Sequence, residues 1–173
     1  LFYSSLNEDM ISAGLLPRFL IIEYNGDRVP LNEGHVNVVP SFNLTDRLSS
    51  LIAHVETIMR ENRVINVGIE QDALSNLRSF DKSADTLINA THEDAIAELW
   101  NRAHMKVMRL SALIAVGVNP FHPVIENSHI EWAKALVQND IKTLSNRFER
   151  GEIGKNTSEN KQVKEVLRMV KDY

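Results

Sequence analysis

Hydrophobic residues recur at intervals of three and four along four long stretches of this chain, and no other feature constrains its fold so strongly. This spacing places the apolar residues on one face of an α-helix. It predicts helices from about 43 to 62, from 71 to 89, from 91 to about 116, and from 127 or 128 to about 148. Each helix has to bury its apolar face against another element. The chain is therefore predicted to be mainly α, a helical bundle of about five helices.

The apolar stripes also predict which residues form the core. They are Leu44, Leu48, Leu51, Ile52, Val55, Ile58 and Met59 in the first helix, Ala73, Leu74, Leu77, Phe80 and Leu87 in the second, and Ile130, Ala133, Leu136, Val137, Ile141, Leu144 and Phe148 in the last. Shorter helices are predicted over 6–13, which Gly14 ends, and from 161 to 173. The helix from 91 is predicted to begin with a capping box of Thr91 and Asp94.

Two short runs of β-forming residues lie outside the helical pattern, towards the N-terminal end. Residues 19–22 are continuously apolar, which is typical of a buried strand, and residues 64–69 are rich in Val and Ile. One or two short N-terminal β-strands are therefore expected. Arg18 stands where the loop enters the first run. An arginine at that point is either held by a carboxylate or directed at an anion, and the sequence leaves both alternatives open.

Several kinds of site are excluded by residues or spacings that the chain lacks. It has no cysteine, so it has no disulfide, cysteine–zinc site or cysteine nucleophile, and a cytoplasmic location is expected. Its six histidines lack metal-ligand spacing, so no metal site is expected. Residues 151–157 hold two glycines and a lysine, but not at the spacing of a phosphate-binding loop. No apolar run is long enough to span a membrane, so no membrane contact is expected.

The charge of the chain is unevenly distributed. The net charge is −4, yet residues 142–173 carry eight Lys and Arg against five Asp and Glu. Such a basic tail either contacts nucleic acid or forms a solvated helix face. Its candidate contacts to DNA are Lys155, Lys161, Lys164 and Arg168. The polar, glycine-containing stretch 151–160 is predicted to be a linker.

Two arginines of the helix predicted from 91 are further candidates. Arg102 and Arg109 are seven residues apart and would lie almost on one face of that helix. Arg109 directly precedes the apolar run 110–116. An arginine buried beside such a run needs a partner, and either an acidic side chain or a phosphate would serve.

Three segments resemble phage and prophage primase–helicase-like proteins of the P-loop ATPase type. FYSSLNEDMISAGLLPRFLIIEY resembles the late part of their ATPase core, with a short helix, an arginine-bearing turn and a strand. LWNRAHMKVMRLSALIAV and VIENSHIEWAKALV resemble the two helices that follow. The stretch LLPRF is also similar to the Leu-Leu-Ser-Arg-Phe segment of minichromosome-maintenance helicases, with Pro17 in place of Ser.

This resemblance implies a function. Residues 1–30 would end an ATPase core, 31–150 would form a helical domain, and 151–173 would open a winged-helix-like module. Arg18 would be the catalytic finger that reaches a neighbouring subunit's ATP, and Arg109 would be a sensor of the subunit's own nucleotide. ATP and Mg²⁺ would bind upstream of this chain, in a homo-oligomeric DNA-replication ATPase of which this fragment is inactive alone. The alternative is a non-enzymatic helical module for DNA binding or oligomerisation.

Overall fold

The computed structural model of this chain describes residues 3, 6, 10, 14–24, 26–34 and 38–153. Within them the chain is mainly helical, which confirms the predicted fold class. The helices are α1 (Phe42–Arg60), α2 (Gln71–Ala90), α3 (Asp94–Asn101), α4 (Ala103–Val118) and α5 (Asn127–Glu149), and the strands are β1 (Gly68–Ile69) and β2 (Val124–Ile125). The helices predicted over 6–13 and 161–173 fall wholly or largely outside the described residues.

An antiparallel pair of helices, α4 and α5, forms the centre of the fold. Near one end, Lys106 of α4 contacts Asp140 of α5, and towards the other end the Ser111 hydroxyl donates to the carbonyl of His129 at 3.2 Å. The buried stripe of α4 consists of Ala103, Val107, Ser111 and Ala115. Because most of these side chains are small, they let the backbone of α5 approach closely. The stripe of α5 packs here through Ile130, Ala133, Val137, Ile141 and Leu144, as predicted.

Helices α2 and α3 cover this pair. The buried residues of α2 are Ala73, Leu77, Phe80 and Ala84. The prediction was right for the first three, but Leu87 is exposed and Ala84 lies inside instead. Leu16 and Ile153 belong to the same hydrophobic cluster as these helices. The domain limits predicted at residues 30 and 150 stay predictions.

A single parallel pair of strands joins the starts of α2 and α5. Gly68 pairs with Val124, and Ile69 pairs with Ile125. The bonds run from the Gly68 N–H to the carbonyl of Pro123 at 2.9 Å and from the Glu70 N–H to that of Ile125 at 3.0 Å. The strand predicted over 64–69 is thus present only in its last two residues. Its partner β2 lies more than 50 residues further along the chain, where the sequence did not predict a strand.

The buried strand predicted over 19–22 is wrong. Leu16–Arg18 form a 3₁₀ turn, and the residues from Phe19 to Tyr24 have no regular structure. Phe19 is 55% exposed and Ile22 is 70% exposed. A strand needs a neighbouring strand to hydrogen-bond with, and the described part of the chain offers none to this segment.

The long helix predicted over 91–116 is interrupted. Arg102 adopts a turn conformation between α3 and α4, with φ −98° and ψ −5°. Helix α3 packs mainly on α2, and α4 packs mainly on α5. One straight helix could not make both of these contacts. The predicted capping box is also absent, because α3 begins after Glu93 and the Thr91 hydroxyl only accepts from the Glu93 N–H at 3.3 Å.

Helix α1 buries none of the stripe that the sequence assigned to the core. Ser41 caps this helix by accepting from the Leu44 N–H at 3.3 Å. Among the described residues, α1 meets the body along one edge, where Arg47 donates to the carbonyl of Gly117 at 2.9 Å and the rings of His54 and Phe121 lie 4.5 Å apart. Five of the seven stripe residues are exposed over 44% to 75% of their surface: Leu44, Leu48, Ile52, Val55 and Met59.

Candidate functional site

Arg18 stands on a rigid base and has an exposed side chain. It is the last residue of the 3₁₀ turn, in which Leu16 and Pro17 are buried. The turn is closed by the Arg18 N–H, which donates to the carbonyl of Leu15 at 3.1 Å, and by the Phe19 N–H, which donates to that of Leu16 at 3.0 Å. Proline suits this place because it fixes φ and needs no hydrogen-bond acceptor. The backbone of Arg18 is therefore held while its head group faces solvent.

No carboxylate among the described residues forms a salt bridge with Arg18. Its guanidinium lies close to Gly14, where an added Cβ would be 3.8 Å from Arg18 Cζ. Gly14 has φ +72°, a conformation that favours glycine. Of the two fates that the sequence left open for Arg18, the intramolecular ion pair is thus not found in the described part of the chain.

Residues 16–24, here called the strap, carry Arg18 across the α4–α5 pair. One attachment is Asp140 of α5, which is 1% exposed. Its Oδ1 accepts from the Ile21 N–H at 2.9 Å, and its Oδ2 forms a salt bridge with Lys106 Nζ at 2.7 Å. A buried carboxylate is costly unless it is paired and hydrogen-bonded. Both partners of Asp140 are therefore needed, and one of them is the strap backbone.

The second attachment of the strap is Arg147, two helical turns further along α5. Its Nη2 lies 2.7 Å from Glu23 Oε1 of the strap, and its Nη1 pairs with Glu152. The guanidinium also lies over the ring of Tyr3, 4.2 Å from the centroid. The hydrogen bonds that Arg147 donates to Glu23 and, with a smaller effect, to Glu152 raise the pKa of Arg147 above its usual range. Burial raises the pKa of Tyr3 to about 12, with Glu23 adding to the effect.

Neither Asp140 nor Arg147 was identified from the sequence as a residue that supports the site. Asp140 did carry a signal, because it follows Val137 by three residues and precedes Leu144 by four. It therefore falls on the apolar face of its helix, where a carboxylate indicates a buried pair. Arg147 gave no such signal, since its partners in the N-terminal segment, Glu23 and Tyr3, are distant in sequence.

The structure places the remaining candidate residues apart from any assembled site. Arg109 is exposed, because the helical period that turns Val107 and Ser111 inward turns Arg109 outward. Its charge is therefore not buried and needs no partner. Arg102 is exposed too, and it lies at the break between α3 and α4 rather than on one helix with Arg109. The candidate DNA contacts, Lys155, Lys161, Lys164 and Arg168, lie outside the described residues.

The described residues form neither a metal-binding cluster nor a membrane-spanning helix. No group of three or more His, Asp or Glu side chains is placed to hold a metal ion in that part of the chain. No helix there is both long and apolar enough to cross a membrane. His129, although buried, is used structurally, because its Nδ1 accepts from the Glu126 N–H at 3.2 Å at the start of α5.

Replacing Asp140 tests whether it anchors the strap. Asp140→Ala leaves Lys106 and the Ile21 N–H buried without their acceptor, so we expect a loss of about 3–5 kcal/mol in the free energy of unfolding. Asp140→Asn retains an acceptor oxygen and should cost clearly less. Urea denaturation measures both, with the exposed Asp85→Ala as control. A loss for Asp140→Ala no larger than that of the control would contradict this account.

Removing the Glu23 carboxylate tests the second attachment. Glu23→Gln should lower the pKa of Tyr3 from about 12, while burial keeps it above the ordinary value of 10.0. Ultraviolet titration measures this when the matching Tyr3→Phe spectrum is subtracted. Because the folded chain holds the phenol proton more tightly than the unfolded chain, the free energy of unfolding should fall as the pH rises from about 10 to about 12. If the pKa of Tyr3 is unchanged in Glu23→Gln, the Glu23 carboxylate does not contribute to raising it.

No protein-family model, curated protein or solved structure matches this chain. The likeness to primase–helicase proteins therefore stays a prediction from the sequence.

Proposed function

We propose that this chain is a helical part of an oligomeric phage- or prophage-type replication ATPase, and that it supplies Arg18 to a nucleotide held by a neighbouring subunit. One observation carries the proposal. Arg18 has an exposed side chain on a hydrogen-bonded turn, and it forms no salt bridge with a carboxylate among the described residues. An arginine held in this way is available to an anion from another molecule.

The chemistry asked of Arg18 is electrostatic. In phosphoryl transfer, negative charge spreads over the oxygens of the transferred group, and catalysis consists largely of positioning and charge stabilisation. A guanidinium has a planar set of donors that matches two phosphate oxygens at once. A group that acts this way needs a rigid base, which the buried Leu16 and Pro17 supply. ATP, Mg²⁺ and the phosphate-binding loop would come from other parts of the full-length protein.

The proposal is tested by Arg18→Ala in the full-length, assembled protein. We expect ATP hydrolysis to fall by about 10³-fold or more, the range for an arginine finger. Arg18→Lys should restore only part of the activity, because an ammonium cannot reproduce the two-point contact. Arg78→Ala removes an exposed arginine from α2 and is the matched control.

Two results would overturn the proposal. One is an assembled Arg18→Ala protein that hydrolyses ATP at the normal rate. The other is a full-length gene that encodes no P-loop within about 100–300 residues upstream, a span set by ordinary domain sizes. A mixed oligomer shows which ATP site Arg18 acts on. Each Arg18→Ala subunit should abolish ATP hydrolysis at the site of its neighbour rather than at its own.

The exposed apolar face of α1 favours a second candidate, a non-enzymatic oligomerisation module. A helix with an apolar stripe gains most of its stability by packing that stripe against a partner. In α1 the stripe of Leu44, Leu48, Ile52, Val55 and Met59 remains largely exposed. A second copy of the chain, laying its own α1 against this face, would bury both stripes.

This candidate predicts concentration-dependent self-association that depends on α1. Leu48→Lys places a charge within the stripe and should abolish the association, as followed by light scattering after size exclusion. Ser49→Lys adds the same charge beside the stripe, and should leave the association largely intact. Equal effects of the two variants, or a chain that stays monomeric at every concentration, would reject the module.

A further inference from the structure

The strap presents a backbone edge that nothing in the described part of the chain covers. Leu20, Ile22 and Tyr24 make no backbone–backbone hydrogen bond among the described residues. Ile22 is 70% exposed and Tyr24 is 72% exposed. The segment from Phe19 to Tyr24 nevertheless consists largely of residues that favour strands. A strand-forming sequence is thus held at the surface without a strand beside it.

The anchor at Asp140 determines which edge of the strap is free. The strap has extended dihedral angles at Phe19, φ −92° and ψ 155°, where the chain bends, and residues 20–24 contain no helix or turn. In an extended chain the N–H and C=O groups of successive residues point to opposite edges. The Ile21 N–H points inward, since Asp140 is buried. The polar backbone groups of Leu20, Ile22 and Tyr24 therefore point outward.

The two attachments keep this segment stretched. Asp140 and Arg147 are seven residues apart on α5, which is about 10.5 Å along the helix. The strap residues that they hold, Ile21 and Glu23, are only two apart. Two residues span at most about 7 Å even when fully extended, so the side chains make up the rest. A strap that curled here would lose one of its attachments.

We propose that the outward edge of the strap pairs with the same edge of a second copy, as an antiparallel two-stranded ladder centred on Ile22. In that register Ile22 lies opposite Ile22 of the other copy, and Leu20 lies opposite Tyr24. A contact with twofold symmetry must be self-complementary, and this one is. Leu20, Ile22 and Tyr24 are uncharged, and Glu23 of each copy lies opposite Ile21 of the other, so no like charges lie directly opposite each other.

Charge complementarity favours a second copy over an unrelated strand. Beyond each end of the ladder, Arg18 of one copy lies alongside Gly26 and Asp27 of the other. Both residues are exposed, and neither forms a salt bridge among the described residues. The pairing thus gives Arg18 a carboxylate in trans whenever it is not engaged with a neighbouring subunit's nucleotide. It depends neither on a nucleotide nor on α1.

The absence of cysteine makes a direct test possible, because a single introduced cysteine reports only its own contacts. Opposite residues in such a ladder have Cα atoms about 5.5 Å apart, within the range of a disulfide. Ile22→Cys should cross-link rapidly to a dimer under mild oxidation of the otherwise unaltered chain. Val39→Cys is the control, since Val39 is exposed but lies outside the strap.

Two further variants distinguish backbone hydrogen bonding between the two copies from contacts between their apolar side chains. Ile22→Pro removes the N–H that pairs across the dyad and should raise the dimer dissociation constant about tenfold or more. Ile22→Ala keeps that N–H and should change it less. Arg18→Asp should weaken the dimer, and Arg18→Asp combined with Asp27→Arg should restore it. Circular dichroism verifies that each variant is folded.

The inference is overturned if Ile22→Cys cross-links no faster than Val39→Cys, or if Ile22→Pro dimerises as the unaltered chain does. Self-association that Leu48→Lys abolishes and Ile22→Pro does not would assign the contact to α1 and also overturn it. Its failure is distinguishable from that of the proposed function. ATP hydrolysis by the assembled Arg18→Ala protein tests the finger, and the Ile22 variants test the pairing.

Discussion

The buried carboxylate of Asp140 is the constraint on which the arrangement of the N-terminal segment depends. A charge in that position has to be compensated from within the protein, because water does not reach it. Lys106 supplies the opposite charge and fixes the register of α4 against α5. The Ile21 N–H supplies a hydrogen bond and fixes where the strap crosses the pair. A single side chain therefore joins three segments that lie far apart in the sequence.

The core is complete without α1, and this explains the exposed helix. The small residues along α4 let α5 pack closely, and α2 and α3 fill the rest of the available surface. Leu16 and Ile153 close the cluster from the two ends of the described chain. Among the described residues, helix α1 rests on the edge formed by Gly117 and Phe121. Its exposed apolar face is the surface at which we propose that a second copy could bind.

The sequence predicted well where the helices lie, but poorly how they pack against one another, for a physical reason. The spacing of three and four that marks α2 and α5 is a local property, and it located both helices to within a residue or two. Whether a stripe is buried depends on what packs against it, so the same spacing misplaced Leu48 in the core. The break at Arg102 involves no glycine or proline and arises from packing on two different helices. The run 19–22 has strand-forming residues but no strand to pair with.

The candidate site shows the same division between local and distant causes. The sequence singled out Arg18 because of its own neighbours, Pro17 and the apolar run. Of the two residues that position the strap from more than 100 residues away, Asp140 gave a signal through its place on the apolar face of α5, and Arg147 gave none. A β-forming sequence suits a segment that is held at these two points. Drawing the Ile21 N–H inward to a buried carboxylate directs the alternate backbone groups outward, and a strand-forming sequence keeps the segment extended between its anchors. The rigidity that holds Arg18 in place and the exposed edge beside it are therefore consequences of one interaction.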